Sequence, residues 1–282
     1  LALRAVYCDD LHRSIGLEDF VMASHERWNA LLEIIARDGR LEVDTAASEL
    51  DVSTATIRRD LDRLAQQQMV TRTRGGATAN NVSYDLPLRY KTARHATEKE
   101  RIARAAAALI RPGAVVGLNG GTTTTEVSRA LATRADLHAG GAETALTVVT
   151  NALNIANELT VRQHVKIVVT GGVVRPQSYE LTGPLGTLVL EQLTLDHLFL
   201  GVDAVSATAG ATAYNEGEAS INQLMVARGR QVIVVADSSK LGRHAFARIC
   251  DIRQVDVLIT DSGADPAVVA EFTDAGVQVI RA

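Results

Sequence analysis

From residue 114 onward, short apolar runs alternate with helix-like segments, and this alternation restricts the fold more than any other feature of the 282-residue chain. The runs are AVVGL (114–118), LTVVT (146–150), KIVVT (166–170), HLFLGV (197–202), QVIVVA (231–236), VDVLIT (255–260) and VQVI (277–280). Helical patterns over 122–132, 152–159, 216–230 and 265–275 separate most of them. Such alternation predicts a mostly parallel, two-sided α/β sheet with ligands at the carboxyl ends of its strands.

Polar residues stand at those ends. NGGTTTT (119–125) follows the first run, Thr150-Asn151 the second and TGG (170–172) the third. GVDA (201–204) follows the fourth and ADSSK (236–240) the fifth. Glycines let backbone amides approach an anion, and threonine hydroxyls donate further hydrogen bonds. The N-terminus of a helix over 122–132 adds partial positive charge, and Lys240 can supply a full countercharge. Thr125 is expected to face away from a ligand, while Gly171-Gly172 also reads as a plain turn and Asp203 as a helix cap.

The front of the chain has a different rhythm. Trp28, Leu31, Leu32, Ile34 and Ile35 recur at helical spacing up to a stop at Gly39, and a short helix, VDTAASEL (43–50), follows. Ser53 is a natural N-cap for a third helix whose apolar stripe is Ile57, Leu61 and Leu64. VTRTRGGATA (70–79) then reads as a ribbon turning at Gly75-Gly76. This is the order of a winged helix-turn-helix. Residues 24–77 carry eight Arg against nine Asp and Glu, so the domain as a whole is not basic. Within 53–77, however, Arg58, Arg59, Arg63, Arg72 and Arg74 face only Asp60 and Asp62. Positive charge is thus placed on the elements that would meet DNA. Asp60 is expected to orient an arginine instead of touching DNA.

Composition is that of an ordinary globular chain, with 46% hydrophobic and 22% charged residues and a net charge of −4. That balance argues against nucleic-acid binding through bulk positive charge. Cys8 and Cys250 provide neither a disulfide framework nor a metal-ligand spacing, so no metal or cofactor is expected, and a reduced cytoplasmic setting fits. No run is long enough for a membrane span, and Asp9 and Asp10 stand where a signal peptide needs its apolar centre. The expected domains are an N-terminal extension (1–23, with a start possible at Met22), a winged helix-turn-helix (24–78), a linker (79–95), and an effector-binding and oligomerisation domain (96–282).

The stretch ELDVSTATIRRDLDRL, followed by RTRGGA, resembles the DNA-binding domain of the DeoR family of bacterial transcriptional regulators. GGTTTTEVSRAL, LTVVTNALNIANEL, VVTGGVVR, FLGVDAV, NEGEASINQLMV and VVADSSKLGRHAF resemble, in order, the sensor domain of the same family. The resemblance implies a sensor similar in fold to ribose-5-phosphate isomerase and the CoA-transferase group, and a repressor whose hold on operator DNA changes with a phosphorylated sugar. It places Ser53, Thr54, Thr56, Arg58 and Arg59 on the recognition helix and Arg72 and Arg74 in the wing. It makes Asn119, Gly120, Gly121, Thr122, Thr123, Thr124, Asn151, Gly171, Gly172, Asp203, Glu218 and Lys240 the candidate effector contacts. A homodimer or homotetramer is implied as well. Members commonly carry aspartate where Asn119 stands and threonine near Ala213, which puts the contacts to the sugar end in question. The alternative is an isomerase-like enzyme using Asp203, Glu216, Glu218 and Lys240; nothing about an isomerase requires an arginine-bearing winged helix in front.

Overall fold

The computed structural model describes residues 27–28, 30–32, 34–35, 38–66, 69–79, 88–92, 95–137 and 145–282. The expected extension 1–23 and most of the expected linker 79–95 lie outside them. The chain separates into two compact units with a boundary between residues 86 and 87.

In the first unit, Trp28, Leu31, Leu32, Ile34 and Ile35 are helical and buried. Strand β1 (Arg40–Glu42), helix α1 (Val43–Glu49), helix α2 (Thr54–Gln66) and strands β2 (Val70–Thr73) and β3 (Gly76–Ala79) follow. Ser53 caps α2 as expected, its Oγ accepting from the Thr56 amide at 3.2 Å. Ile57, Leu61 and Leu64 turn inward, 0% exposed. The ribbon is one strand richer than the sequence suggested, because β1 pairs antiparallel with β3 on the side away from β2. That pairing explains the two wing glycines. Gly75 turns with φ +92°, a conformation side chains disfavour. At Gly76 a Cβ would lie 1.9 Å from the Leu41 carbonyl oxygen, so β3 can approach β1 only without a side chain there.

The second unit begins with a short helix, α3 (Leu88–Lys91), inside the region expected to be linker. It is tied to this unit, for the Leu88 amide donates to the Gln177 carbonyl at 2.7 Å and Lys99 Nζ to the Lys91 carbonyl at 2.8 Å. Helix α4 (Ala96–Ala108) leads into strand β4 (Val115–Leu118), helix α5 (Thr122–Ala132), strand β5 (Leu146–Thr150), helix α6 (Leu153–Leu159) and strand β6 (Val165–Val169). A hairpin of β7 (Val173–Arg175) and β8 (Glu180–Thr182) precedes helix α7 (Leu185–Leu190) and strand β9 (His197–Gly201). Strands β10 (Ala204–Ser206) and β11 (Gly210–Ala213), helix α8 (Glu216–Arg228) and strands β12 (Val232–Val235), β13 (Ala247–Cys250) and β14 (Val257–Thr260) follow. Helix α9 (Pro266–Asp274) and strand β15 (Gln278–Arg281) end the chain.

Seven strands form one parallel sheet in the order β15-β14-β12-β9-β4-β5-β6. Both faces are covered, and the period-2 geometry of the strands shows how. Val232, Val234, Leu198, Leu200 and Leu258 pack on one side with α7, α8 and α9, while Ile233, Val235, Phe199, Val257 and Ile259 pack on the other with α4, α5 and α6. The small antiparallel sheet β10-β11-β13 and the β7–β8 hairpin were not foreseen. Among the described residues, no helix is long and apolar enough to cross a membrane.

Strand order fixes where a ligand can sit. The chain starts in the middle of the sheet at β4, builds outward through β5 and β6, then returns to the far side of β4 with β9. Connections leaving β4 and β9 therefore diverge, opening a crevice beyond their carboxyl ends.

Candidate functional site

Asn119, immediately after β4, bridges that switch point: its Nδ2 donates to the Gly201 carbonyl at 2.9 Å, and its Oδ1 accepts from the Gly201 amide at 2.7 Å. The residue thus fastens the ends of β4 and β9 to each other, which is work that an asparagine, carrying both donor and acceptor, can do and an aspartate cannot. The loop then enters α5 through Gly121 at φ +150°. Thr124 and Thr125 turn their hydroxyls back onto the Gly121 carbonyl, at 3.1 and 2.7 Å. They brace the loop; Thr125 is where the sequence placed it, whereas Thr124 does not line the cleft.

The cleft beyond this loop encloses about 540 Å³ of space, part of it open to solvent. Asn119, Gly120, Gly121, Thr122, Thr123, Asp203, Glu218 and Lys240 all line it, so eight of the expected contacts converge. Asn151, Gly171 and Gly172 do not line it, and their work lies behind it. Asn151 Nδ2 donates to Glu180 Oε2 at 2.9 Å. Gly171 and Gly172 have φ of +79° and +134°, and a Cβ on Gly172 would come within 2.6 Å of the Thr182 carbonyl oxygen. These glycines admit the tight β7–β8 hairpin, and the hairpin delivers Glu180 to the cleft.

Residues that the sequence did not single out complete the lining, among them Lys91, Ser178, Glu180 and Asn222. Lys91 lay in the expected linker and Ser178 and Glu180 in a segment with Pro and Gln, so composition gave no reason to select them. Asn222 could have been found: it stands four residues after Glu218 on α8, hence on the same helix face.

Charges are ordered along the cleft. Lys240 Nζ donates to the Val202 carbonyl at 2.6 Å, and Lys91 Nζ stands 3.8 Å from Asp203 Oδ1. Asp203 also accepts from the Tyr214 amide at 2.9 Å, and Glu218 pairs with Arg175 at 3.0 Å. Glu180 is buried, and desolvation first, then the charge of Glu218, pushes its carboxyl up to about 8. Three buried polar atoms of the lining have no partner among the described residues: Thr123 Oγ1, Ser178 Oγ and Asn222 Oδ1. An unmet buried polar atom is costly, and a polar ligand in the cleft would relieve that cost. The open amides at the start of α5 and the two lysines suit an anion, and Asn222 suits a hydroxyl donor. Among the described residues no cluster of His, Cys, Asp or Glu could hold a metal ion.

In the first unit, the exposed face of α2 carries Arg58 and Arg59, and Arg74 is exposed at the wing turn. These three are unencumbered by any resolved ion pair among the described residues. The remaining candidates are partly committed to the fold. Ser53 Oγ is 2.9 Å from Thr56 Oγ1 within the cap, and Thr54 and Thr56 are half-buried. Arg72 pairs with Asp62 at 2.9 Å and donates to the Gly76 carbonyl, bracing the wing turn. Asp60 is buried and accepts from Trp28 Nε1 at 2.8 Å and from Arg27 Nε at 2.5 Å. It therefore does hold an arginine, and the arginine is Arg27, on the first helical segment.

Residues 27–82 match the DeoR-like helix-turn-helix domain, and residues 94–262 match the DeoR C-terminal sensor domain. The glycerol-3-phosphate regulon repressor of Escherichia coli strain K12 is 30% identical over 258 residues, covering 92% of this chain and 99% of that one. The HTH-type transcriptional repressor GlcR of Bacillus subtilis is 32% identical over 246 residues, covering 85% of this chain and 89% of that one. Among solved structures, a ribose 5-phosphate isomerase A from Methanocaldococcus jannaschii is similar over 52% of this chain and 54% of its own, with a TM-score of 0.38 and 18% identity. With both domains matched in order and full-length relatives that are regulators by name, the chain belongs to the DeoR family of transcriptional regulators.

Proposed function

We propose that this regulator is a repressor of carbohydrate genes, released from its operator when a phosphorylated sugar enters the cleft of the second unit. One observation carries the reading: Thr123 Oγ1, Ser178 Oγ and Asn222 Oδ1 are buried without partners in a cleft that also presents the start of α5, Lys91 and Lys240. A phosphate at the loop and hydroxyls toward α8 would satisfy those of Thr123 and Asn222 at once. Arg58, Arg59 and Arg74 are the side chains free to meet DNA, with α2 as the recognition helix. A homodimer or homotetramer would set two such helices at matched half-sites.

Lys91 gives the signal a route. It lines the cleft only five residues beyond the boundary that separates the two units, so a ligand that draws it away from Asp203 acts on the chain leading to the winged helix. Coupling of this kind requires the ligand to distinguish two arrangements of that segment. Asp203, Glu218 and Lys240 are also parts an isomerase would need, yet a winged helix in front of the cleft and relatives named as repressors favour recognition over turnover.

The test is a gel shift with DNA selected by the full-length protein from a random duplex pool, run against a panel of sugar phosphates. At least one of them is expected to weaken the complex. Specific DNA binding that no sugar phosphate alters would refute the sensor reading, and turnover of any of them would restore the enzyme.

A further inference from the structure

Glu180 is a buried acid of the cleft that the reading above leaves without a task. It opens β8, directly after Tyr179, a non-glycine residue held at φ +60°. Such a conformation persists only where surrounding structure imposes it, and here the Tyr179 amide donates to Arg175 and its carbonyl accepts from the Leu153 amide. The turn thereby drives Glu180 inward, where it is 3% exposed. Its carboxyl lies against the first glycine of the anion loop. A Cβ built on Gly120 would meet Glu180 Oε1 at 2.4 Å and Cδ at 2.5 Å. Only glycine at 120 leaves room for this acid, and the acid stands beside the amides that would hold a phosphate.

The groups facing it argue against a charged form. Glu218 on α8 and Asp203 after β9 are carboxylates in the same cleft, and Arg175 on β7 is already engaged by Glu218. Lys91 on α3 and Lys240 lie on the lining with Asp203 and Val202 as partners. Asn151 Nδ2 supplies a hydrogen bond to one carboxyl oxygen, at 2.9 Å. An ionised Glu180 beside a bound dianion would be repelled by it, whereas a neutral acid can donate to it.

We propose that Glu180 binds the effector as the neutral acid, donating its carboxyl proton in a hydrogen bond to an oxygen of the phosphate ester, so that effector binding is linked to proton uptake. This rests on the cleft being the effector site. The raised titration of Glu180, near 8, places the linkage within reach of experiment.

Calorimetry on the full-length protein tests it with two probes, sulfate, which keeps its charge throughout the range, and glucose 6-phosphate. Wild-type affinity for sulfate is expected to fall about tenfold between about pH 7 and about pH 9, and Glu180→Gln, a permanently neutral donor of the same shape, to remain flat. Parallel slopes in the two proteins overturn the proposal, as does complete loss of binding in a folded Glu180→Gln protein. A second measurement needs no variant: titrations near pH 8.5 in two buffers of different ionisation enthalpy should report uptake of most of a proton, about 0.8 per site, falling to almost none near pH 6. No uptake near pH 8.5 overturns it. Failure of both probes to bind at about pH 6.5 removes the cleft reading together with this one, while binding without proton linkage removes Glu180 alone.

Discussion

Two Gly-Gly turns, Gly75-Gly76 in the wing and Gly120-Gly121 in the cleft, look alike in sequence and are built on the same plan. In each, one glycine takes a positive φ (Gly75 at +92°, Gly121 at +150°) and its neighbour avoids a collision. The collisions differ. Gly76 faces backbone, the Leu41 carbonyl oxygen, which cannot move without unpairing β1 from β3. Gly120 faces a side chain, Glu180, which can be displaced at the expense of its position in the cleft. The first turn is therefore a requirement of folding, and the second a requirement of the site.

Substitutions should separate the two. Gly76→Ala is expected to have the largest effect, destabilising the first unit by about 3 kcal/mol or more and abolishing DNA binding. Thermal unfolding checks it, and a wild-type midpoint would contradict the backbone collision. Next comes the acid that Gly120 accommodates. Because the folded-state titration of Glu180 is raised above its ordinary value of 4.5, its stabilising contribution is fully present below that value and lost as pH rises through about 8. Glu180→Gln should consequently gain on wild type between about pH 5 and about pH 9, by up to about 4 kcal/mol in denaturant unfolding. A difference that does not change with pH would mean that Glu180 is ionised throughout.

Gly120→Ala should be milder, about 1–2 kcal/mol in stability, since Glu180 can swing aside, but sugar-phosphate binding should fall more than stability does. Equal losses in both would make Gly120 a folding residue like Gly76. The smallest change in stability belongs to Arg58→Ala and Arg59→Ala, within about 0.5 kcal/mol because both side chains are exposed. Each should nevertheless weaken DNA binding by about 1 kcal/mol or more, with a shallower salt dependence where the lost contact is to phosphate.

The same contrast explains what could be read from the chain without coordinates. Strands such as VIVV (232–235) and VLIT (257–260) are buried on both faces, so their continuous apolar character announces them. Ser53, Ile57, Leu61 and Leu64 are equally legible because a cap and a helical stripe are local patterns. Glu180 was not legible. A lone glutamate after PQSY looks like a surface acid, and only the pairing of β7 with β8 turns it inward. Lys91 was hidden in the same way, reaching Asp203 across more than a hundred residues of sequence. β1 escaped notice since three residues, RLE, carry no periodicity. Gly171, Gly172 and Gly183, all with positive φ, were the available hint of a hairpin in between.

Reciprocal coupling between the two units is the most direct test of the account. The affinity of a sugar phosphate that binds the full-length protein should be measured alone and again with saturating operator DNA. Operator DNA should weaken that affinity by the factor, at least about fivefold, by which the sugar phosphate weakens DNA binding. A sugar phosphate that binds equally tightly with and without DNA would contradict it.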